Sequence, residues 1–361
     1  MLGLDFLKLD GYRTRESVIE DLRTDGKPVI VYGTGKFAVS VAEMLLNNKI
    51  ELYGFVDEEK YYHTGKSMQI KGRDYPCCLF EALELSQTKY NVLLGNIDFD
   101  RLEQCRKIFK GSKFVEYLDA YDSHVIHFDF LRKNADVFGE IYDMLQDLQS
   151  KDILEAYLHA RYTGDVRALS KLKYVDALYD WKLLNISEKD ILVDGGAFVG
   201  DSIKEIQKLE GFMPKEVFCF EPDQFNMIEL LHNFKPEELR KINPIIAGLY
   251  SEDMVLEFCS TGTLGSTLGE NGNGKVKVQA LDNHSAYSNV SVIKMDIEGS
   301  EYAALKGAYN LIKANKPRLA ICIYHKNQDI IDIFNFLKEF NYKIYLRHHS
   351  SSVEETVLYA I

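Results

Sequence analysis

Four titratable residues in the C-terminal half of the sequence stand at the ends of apolar segments that are typical of β-strands. They are Asp194, Glu221, Asp296 and His325. Ligands of open α/β sheets bind beyond the carboxyl ends of the strands, near the point where the strand order reverses. We therefore expect the four side chains to share one rim of a sheet, where carboxylates can accept hydrogen bonds and an imidazole can exchange a proton.

The segment VDGGAFVGDS places Asp194 directly before a turn that contains Gly195, Gly196 and Gly200, and a helix is predicted from about Asp201. Glycine lets the backbone turn sharply and approach a ligand where a Cβ atom would collide. A dinucleotide-binding loop offers backbone donors to a pyrophosphate, but Asp194 would repel a phosphate. The loop therefore favours a cationic ligand, such as the amino acid portion of S-adenosylmethionine.

Glu221, which Pro222 follows in the segment FCFEPD, ends the next predicted strand. A carboxylate at this position can accept hydrogen bonds from both hydroxyls of a ribose. The glycine loop and this acid together predict a nucleoside site. The alternative is a structural turn beside a surface glutamate.

Asp296, Glu298 and His325 could act on the acceptor of a methyl group. Transfer from a sulfonium needs the acceptor oxygen in line with the S–C bond, and an alcohol must also lose its proton. His325 suits the role of base because the unperturbed pKa of histidine lies near neutrality, and Asp296 could orient it or act instead. The alternative for His325 is a histidine that bonds to backbone groups at a strand end. We expect Lys294 and Glu301 to be structural or exposed to solvent.

Asp296, Glu298 and His325 could also bind Mg²⁺ or Mn²⁺, since carboxylate and imidazole suit these ions. Nothing in the sequence requires a divalent cation, and we predict no metal site. The six cysteines include no CxxC pair and no Cys/His cluster with zinc spacing. We expect reduced and mostly buried thiols, with Cys219 and Cys322 packed inside strands.

A second glycine loop lies near the N-terminus, where YGTGKFA follows an apolar strand and contains Gly33 and Gly35. Asp57 ends the next predicted strand, which completes a dinucleotide-binding fingerprint. The surrounding domain has only about four predicted strands. We therefore expect a vestigial or nucleotide-recognising module rather than an active NAD site.

The C-terminal half contains seven segments with strand patterns, and helix-like segments follow most of the earlier ones. They are DILVDGG, EVFCFEP, NPIIAGLY, VSVIKMD, RLAICIY, YKIYLRH and ETVLYAI. This alternation predicts an α/β fold with a doubly wound, seven-stranded, mainly parallel sheet. Only the polar HHSSSVEE separates the last two strands, so we expect an antiparallel edge hairpin with His348 and His349 in solvent. Methyltransferases that use S-adenosylmethionine commonly have such a sheet.

The rest of the chain divides into two further parts. Strand patterns in PVIVYG, ELYGFVD, NVLLG and KFVEYL, with an amphipathic stretch FDRLEQCRKIF between the last two, predict a Rossmann-like α/β domain over residues 1–119. Residues 120–187 have helical spacing without strand signals and predict a helical connector. The seven-stranded methyltransferase-type domain then covers residues 188–361.

The half of the chain from about Asp190 to Ile361 resembles the FkbM family of methyltransferases. The stretches VDGGAFVGDS, FEPD, KMDIEGSEYAALKGA and IYHKNQD carry the resemblance, in the order that the family shows. It implies S-adenosylmethionine as the methyl donor and a hydroxyl of a sugar or a polyketide-like molecule as the acceptor. The N-terminal domain resembles modules of bacterial surface-polysaccharide synthesis, so we expect a sugar or sugar-nucleotide acceptor.

The resemblance also implies roles for individual residues of the donor site. Asp194, Gly196 and Gly200 would hold the methionine portion, and Glu221 would hold the ribose. The strand end around Ala247, with Gly248 and Leu249, is the candidate for the adenine. A strand buried inside the sheet is the alternative interpretation of those three residues.

Composition and charge limit the classes of partner. The formal net charge of -12 argues against extended contact with nucleic acid, which needs a surplus of Lys and Arg on one face. No apolar run is long enough to span a membrane, and Asp5, Lys8 and Asp10 interrupt the apolar residues at the start. We therefore expect a cytoplasmic protein that acts on a small-molecule or carbohydrate acceptor, and an oligomer is possible.

The sequence is compatible with three functions. The first is an S-adenosylmethionine-dependent O-methyltransferase of surface-polysaccharide biosynthesis. The second is an oxidoreductase that uses NAD(P) or a nucleotide-sugar at the N-terminal GxGxxA loop, and the third is a non-catalytic scaffold of a glycan-assembly complex. Four titratable residues on one rim argue against the scaffold, because packing alone does not require them.

Overall fold

The computed structural model describes residues 14–57, 67–79, 90–95, 107, 115–116, 124–174, 177–259, 267–268 and 274–361. They form two compact units. The described residues of the N-terminal unit lie within 14–133 and 156–171, and those of the C-terminal unit lie within 134–155 and 172–361. The segment 120–187 is thus distributed over both units, and the predicted boundaries after residues 119 and 187 stay a prediction.

The N-terminal unit is built on a six-stranded sheet of order β3-β4-β2-β1-β5-β6, in which only the β3–β4 pair is antiparallel. This confirms the Rossmann-like prediction, and the β3–β4 hairpin adds two strands to the four predicted. The predicted helix over 99–109 lies outside the described residues except for Lys107. The elements are α1 (Arg15–Asp25), β1 (Val29–Tyr32), α2 (Lys36–Asn47), β2 (Leu52–Asp57), β3 (Ser67–Ile70), β4 (Arg73–Leu79), β5 (Asn91–Leu94) and β6 (Val115–Glu116).

Helices fill the described residues between 124 and 174, as the helical spacing predicts. They are α3 (Phe128–Lys133), α4 (Ala135–Met144), α5 (Leu148–Thr163) and α6 (Arg167–Ser170). Throughout the described part of the chain, no helix has the length and apolar character needed to span a membrane.

The C-terminal unit contains the predicted seven-stranded sheet, with the order β16-β17-β15-β14-β7-β8-β9. All neighbouring strands are parallel except β16–β17 and β17–β15, so the antiparallel edge hairpin is confirmed. The elements are β7 (Ile191–Gly195), α7 (Asp201–Glu210), β8 (Glu216–Phe220), α8 (Gln224–His232), α9 (Pro236–Leu239), β9 (Ile242–Ile245), β10 (Gly248–Leu249), β11 (Met254–Cys259), β12 (Thr267–Leu268), β13 (Gly274–Gln279), β14 (Val292–Met295), α10 (Glu301–Lys306), α11 (Tyr309–Asn315), β15 (Arg318–Cys322), α12 (Asp329–Lys338), β16 (Ile344–His348) and β17 (Thr356–Ala360), with 3₁₀ turns at Leu281–Asn283 and Ser285–Tyr287.

The segment NPIIAGLY does not form one strand, which corrects the prediction. Its first part is β9 of the main sheet, and its second part is β10 of a separate four-stranded sheet of order β10-β13-β11-β12. Ala247 lies between the two strands and is 2% exposed. The chain leaves one sheet and enters another here, a change of direction that the continuous apolar pattern does not reveal.

The strand order reverses between β7 and β14. From β7 the chain builds β8 and β9 on one side, and it later builds β14 and β15 on the other side. These central strands are almost wholly buried, because helices cover both faces of a parallel sheet. Cys219 in β8 and Cys322 in β15 are fully buried, as predicted. The reversal places the carboxyl ends of β7 and β14 side by side.

His348 and His349 are buried, so the prediction of a solvated hairpin for them is wrong. His349 contacts the carbonyl oxygen of Ala177 through Nδ1 at 2.8 Å and the hydroxyl of Tyr359 through Nε2 at 3.0 Å. His348 is fully buried and bonds to the Thr356 hydroxyl through Nδ1 at 3.0 Å. Burial lowers the pKa of His348 to about 3 and that of His349 to about 4. Both rings are therefore neutral in the folded protein near pH 7.

Lowering the pH below about 6.5 should destabilise the C-terminal unit through these histidines. Their pKa values are lower in the folded state, so the unfolded chain binds more protons and stability falls as the pH falls. Relative to wild type, the free energy of unfolding of His348→Leu should therefore rise by roughly 1.4 kcal/mol for each pH unit below about 6.5. Urea unfolding followed by fluorescence of the single tryptophan, Trp181, measures this unit. Exposed His232 supplies the control His232→Leu, and parallel pH curves for His348→Leu and wild type would contradict the prediction.

Candidate active site

A cleft opens where β7, β8 and β14 end, and we call it the switch-point cleft. It lies at the carboxyl ends of the strands beside the reversal of strand order, where ligands of open α/β sheets bind. Three strand ends, the start of α7 and the hairpin turn before β17 all contribute to its wall. The lining residues are Leu178, Tyr179, Gly196, Phe198, Asp201, Ser202, Phe220, Glu221, Pro222, Asn226, Gly248, Leu249, Lys294, Asp296, Ile297, Glu298, Ser300 and Glu355.

A buried ion pair lies at the base of the cleft. Lys294 of β14 stands beside Asp194 of β7 in the parallel register, and its Nζ lies 3.0 Å from Asp194 Oδ1. The Lys294 ammonium also donates to the carbonyl oxygens of Gly195 and Gly196, at 3.2 and 2.8 Å. Asp194 is 0% exposed and does not line the cleft, whereas Lys294 does. Lys294 therefore separates Asp194 from the cleft.

The pKa values of this pair shift in the same direction for different reasons. Burial raises the pKa of Asp194 to about 6, although Lys294 opposes the shift. Burial alone would lower the pKa of Lys294, but Asp194, followed by Asp296 and Asp201, raises it overall. Both groups are therefore ionised at neutral pH. The expectation that Lys294 is structural or exposed misses its position at the cleft.

Glu221 is held rigidly at the rim. Its Oε2 accepts a hydrogen bond from the Phe198 amide at 3.0 Å, and its Oε1 accepts one from the Asp223 amide at 2.8 Å. Asp223 in turn caps α8 by accepting from the Phe225 amide at 2.8 Å, as an aspartate does at a helix start. Burial raises the pKa of Glu221 in spite of these bonds. Oε1 also accepts from the Asn226 side-chain amide at 3.4 Å, so Oε2 is the oxygen that keeps further acceptor capacity for a ligand.

The glycine loop contributes to the cleft mainly through Gly196, because Gly195 and Gly200 do not line it. Gly196 has φ 71°, and a Cβ atom there would lie 1.9 Å from the carbonyl oxygen of Asp296. The close approach is therefore to β14 rather than to a ligand. Of the strand end assigned to the adenine, Gly248 and Leu249 line the cleft and buried Ala247 does not.

Asp296, Glu298 and His325 come together as predicted, with Glu301 as a fourth member. The Nε2 atom of His325 lies 3.4 Å from Asp296 Oδ1 and 3.5 Å from Glu298 Oε2. Its Nδ1 atom lies 3.1 Å from Glu301 Oε1, which also accepts from the Ile297 amide at 2.8 Å. Glu301 is fully buried, so it is not exposed to solvent.

The surrounding carboxylates determine the charge of His325. Burial alone would lower its pKa, but Glu301, followed by Asp296 and Glu298, raises it to about 10. Burial raises the pKa of Glu298 to about 7, although His325 opposes that shift. His325 is therefore an imidazolium at neutral pH. The titration near neutrality that the sequence assigns to His325 belongs to Glu298.

Two parts of the cleft wall are absent from the sequence motifs. Leu178 and Tyr179 come from the end of the predicted connector, where the Glu205 carboxylate accepts from their amides at 2.6 and 3.1 Å. Glu355 comes from the turn before β17. None of the three stands at the carboxyl end of a predicted strand. Only the folded chain brings them to the cleft.

Three lining residues other than glycine have left-handed backbones: Phe198 with φ 44°, Glu298 with φ 55° and Glu355 with φ 58°. Such conformations cost of order 1–3 kcal/mol each and are frequent at functional sites. Each of the three therefore has its side chain directed by a backbone conformation that the fold must maintain.

Ligand atoms of Asp296, Glu301 and His325 all lie within 4.8 Å of one another, a spacing that could hold a metal ion. The ion pairs of His325 already balance part of this negative charge. The cluster is therefore held together by its own charges, and no step below depends on a metal.

The N-terminal glycine loop keeps the geometry of its fingerprint. Gly33 has φ 118°, and Gly35 precedes α2 with open space where its Cβ would lie. Asp57 is buried and accepts a hydrogen bond from the Thr34 hydroxyl at 2.8 Å. That hydrogen bond occupies part of the acceptor capacity with which Asp57 would bind a ribose. A second nucleotide site at Gly33, Gly35 and Asp57 stays a prediction.

Comparison with known proteins gives one family match and several similar structures. Residues 215–344 match the family described as the methyltransferase FkbM domain. The chain is similar to the methyltransferase FkbM from Methylobacillus flagellatus KT, with 23% identity, 99% of this chain and 97% of that chain covered, and a TM-score of 0.75. This likeness shows a shared fold along nearly the whole chain. Among the curated proteins, none matches.

Two further solved structures are similar over a smaller part of the chain. An rRNA methylase from Streptococcus thermophilus has 12% identity, with 49% of this chain and 89% of that chain covered and a TM-score of 0.32. Fibrillarin from Aeropyrum pernix has 12% identity, with 48% of this chain and 67% of that chain covered and a TM-score of 0.32. Neither likeness is strong enough to assign a function. Residues 215–344 of the C-terminal unit, which match the methyltransferase FkbM domain, include Glu221, Asp296, Glu298 and His325.

Proposed function

We propose that the chain is an S-adenosylmethionine-dependent methyltransferase that binds its donor in the switch-point cleft. One observation carries the proposal. Within the residues that match the methyltransferase FkbM domain, a rigidly held carboxylate, Glu221, lines a cleft at the reversal of strand order. Such a carboxylate binds the ribose hydroxyls of a nucleoside.

The donor would lie across the rim from β8 to β14. Glu221 and Pro222 would hold the ribose, Gly248 and Leu249 the adenine, and the turn at Gly196 the methionine portion. Asp194 would act through Lys294, whose ammonium lines the cleft and suits a carboxylate. Gly195 and Gly200 would shape the loop without lining the cleft. Ala247 would support the strand end at Gly248 and Leu249 that contacts the adenine.

We propose a hydroxyl of a sugar or sugar-nucleotide as the acceptor, in bacterial surface-polysaccharide synthesis. Asp296 and Glu298 line the cleft and would bind acceptor hydroxyl groups. His325 would keep both carboxylates in place as an imidazolium, because its pKa is raised to about 10. A small polar acceptor agrees with the net charge of -12, which disfavours nucleic acid.

Glu221→Ala should weaken the binding of S-adenosylhomocysteine by about tenfold to more than a hundredfold. The variant removes hydrogen bonds to a charged group, which typically contribute about 1.5–3 kcal/mol each. Isothermal titration calorimetry of the full chain measures the change. Glu229 is an exposed carboxylate on α8, so Glu229→Ala is the matched control. It should bind S-adenosylhomocysteine like wild type.

Equal affinity in Glu221→Ala and wild type would refute this donor site. The same titrations with NAD test the alternative oxidoreductase. In that function, NAD would bind at Gly33, Gly35 and Asp57, and Glu221→Ala would leave its affinity unchanged.

A further inference from the structure

Glu355 reaches the switch-point cleft from the hairpin turn, outside the four stretches on which the FkbM resemblance rests. One of its carboxylate oxygens, a carboxylate oxygen of Asp296 and the Sγ atom of Cys322 all lie within 4.8 Å of one another. The Glu355 carbonyl oxygen accepts from the His349 amide at 2.9 Å, and its φ of 58° is left-handed. The edge hairpin therefore holds this carboxyl group in place at the cleft.

The charges around Glu355 come from three neighbouring strands. Burial, then Asp296 and Glu354, raise its pKa to about 8, and Lys294 and His325 oppose the shift. Tyr179, Tyr324 and Cys322 also face it, and their pKa values are raised by burial first and then by the charges of Asp296 and Glu355. Among the described residues, no cationic side chain forms an ion pair with Glu355. At pH 7 it is mostly protonated and sensitive to any added charge.

We propose that Glu355 is the catalytic residue that takes the proton from the acceptor hydroxyl, and that the charge of the methyl donor sets when it can do so. This inference rests on the proposed function. Glu355 lines the same cleft as Glu221 and Asp296, so it shares one space with both ligands of the reaction. A fixed positive charge in that space favours the ionised carboxylate.

Glu355 would give up one proton when the donor binds and take one back during methyl transfer. Glu355 loses its proton to solvent when a sulfonium occupies the cleft, because the nearby cation lowers its pKa. During transfer the acceptor oxygen forms the C–O bond, the C–S bond breaks with its electron pair left on sulfur, and the hydroxyl proton passes to Glu355. The sulfur is then neutral, so the pKa of Glu355 rises again and the carboxyl group keeps the proton until the products leave.

The other three titratable candidates fit this role less well. Asp296 Oδ1 accepts from the Tyr324 hydroxyl at 3.0 Å and lies 3.4 Å from His325 Nε2. His325 already carries a proton at neutral pH, since its pKa is raised to about 10. Glu298 lies 3.5 Å from the charged His325 ring, so its carboxylate is already engaged in an ion pair. Glu355 has none of these restrictions.

Proton release on ligand binding tests the proposal without an acceptor. Calorimetric titrations at pH 7, in two buffers of different ionisation enthalpy, give the number of protons released. S-adenosylmethionine should release up to about one proton more than S-adenosylhomocysteine from wild type. Glu355→Gln should lose most of that difference, and Glu339→Gln, which alters an exposed carboxylate directly after α12, should keep it. Ionisation of the ligands is common to all variants and cancels.

A second variant tests whether a folding defect, instead of the lost carboxyl group, explains the result for Glu355→Gln. Glu355→Asp keeps an ionisable carboxyl group and should keep a measurable difference between the two ligands. Equal proton release in Glu355→Gln and wild type would overturn the assignment of Glu355 while the donor site stands. If wild type binds neither ligand, the proposed function itself fails.

Discussion

Asp194→Ala should lower the free energy of unfolding of the C-terminal unit by about 3–5 kcal/mol. The substitution leaves the Lys294 ammonium buried without its carboxylate, and breaking a buried ion pair on one side has a cost of this size. The carbonyl oxygens of Gly195 and Gly196 remain as hydrogen-bond acceptors for Lys294 but carry no full negative charge. Urea unfolding followed by Trp181 fluorescence measures the loss, because Trp181 is buried in the same unit.

The double variant Asp194→Ala/Lys294→Met separates loss of the pair from loss of packing. Replacing both charges with apolar groups removes the uncompensated charge, so the double variant should be more stable than Asp194→Ala alone. The coupling energy from the cycle then reports the ion pair. Additive effects of the two substitutions would show that the charges do not stabilise one another.

This result would also change how the motif VDGGAFVGDS is understood. The sequence suggests that Asp194 touches the donor and that its loss weakens binding in an intact fold. The structure separates Asp194 from the cleft by Lys294. A large stability loss would show that the aspartate positions a lysine, and binding tests of Asp194→Ala would then require a correction for the unfolded fraction.

Much of the cleft can be predicted because ligands of open α/β sheets bind at the carboxyl ends of the strands. Glu221, Asp296 and His325 all follow buried parallel strands, and such strands end at one edge of a sheet. Periodicity alone therefore locates these three residues on one rim. It also predicts the edge hairpin, because a short polar linker permits only an antiparallel return.

Residues whose position at the cleft depends on strand order or on distant packing cannot be predicted in this way. Lys294 is buried because β14 lies beside β7 in a register that sets it against Asp194. The one available signal is a charged residue inside an otherwise apolar strand. Glu355 reaches the cleft because β17 lies next to β15, and His349 is buried by contact with Ala177. Neither contact has a local sequence pattern.

Gly196→Ala should destabilise the C-terminal unit by more than about 3 kcal/mol and abolish measurable binding of S-adenosylhomocysteine. A Cβ atom at Gly196 would lie 1.9 Å from the carbonyl oxygen of Asp296, which belongs to the backbone and has no rotamer that avoids it. The φ of 71° adds strain for any residue with a Cβ. Either β7 or β14 must therefore shift, and the shift moves Lys294 and Asp296 at the cleft.

Gly211→Ala isolates the contribution of the backbone conformation. Gly211 ends α7 with φ 80°, but a Cβ atom there meets no heavy atom within 4 Å. Its substitution should cost only about 1–2 kcal/mol, the strain of an L-residue in the left-handed region. The difference between the two variants, measured by urea unfolding with Trp181 fluorescence, reports the clash with β14. Equal losses would mean that the strands separate easily at Gly196, and the cleft would then be an adaptable surface instead of a preformed site.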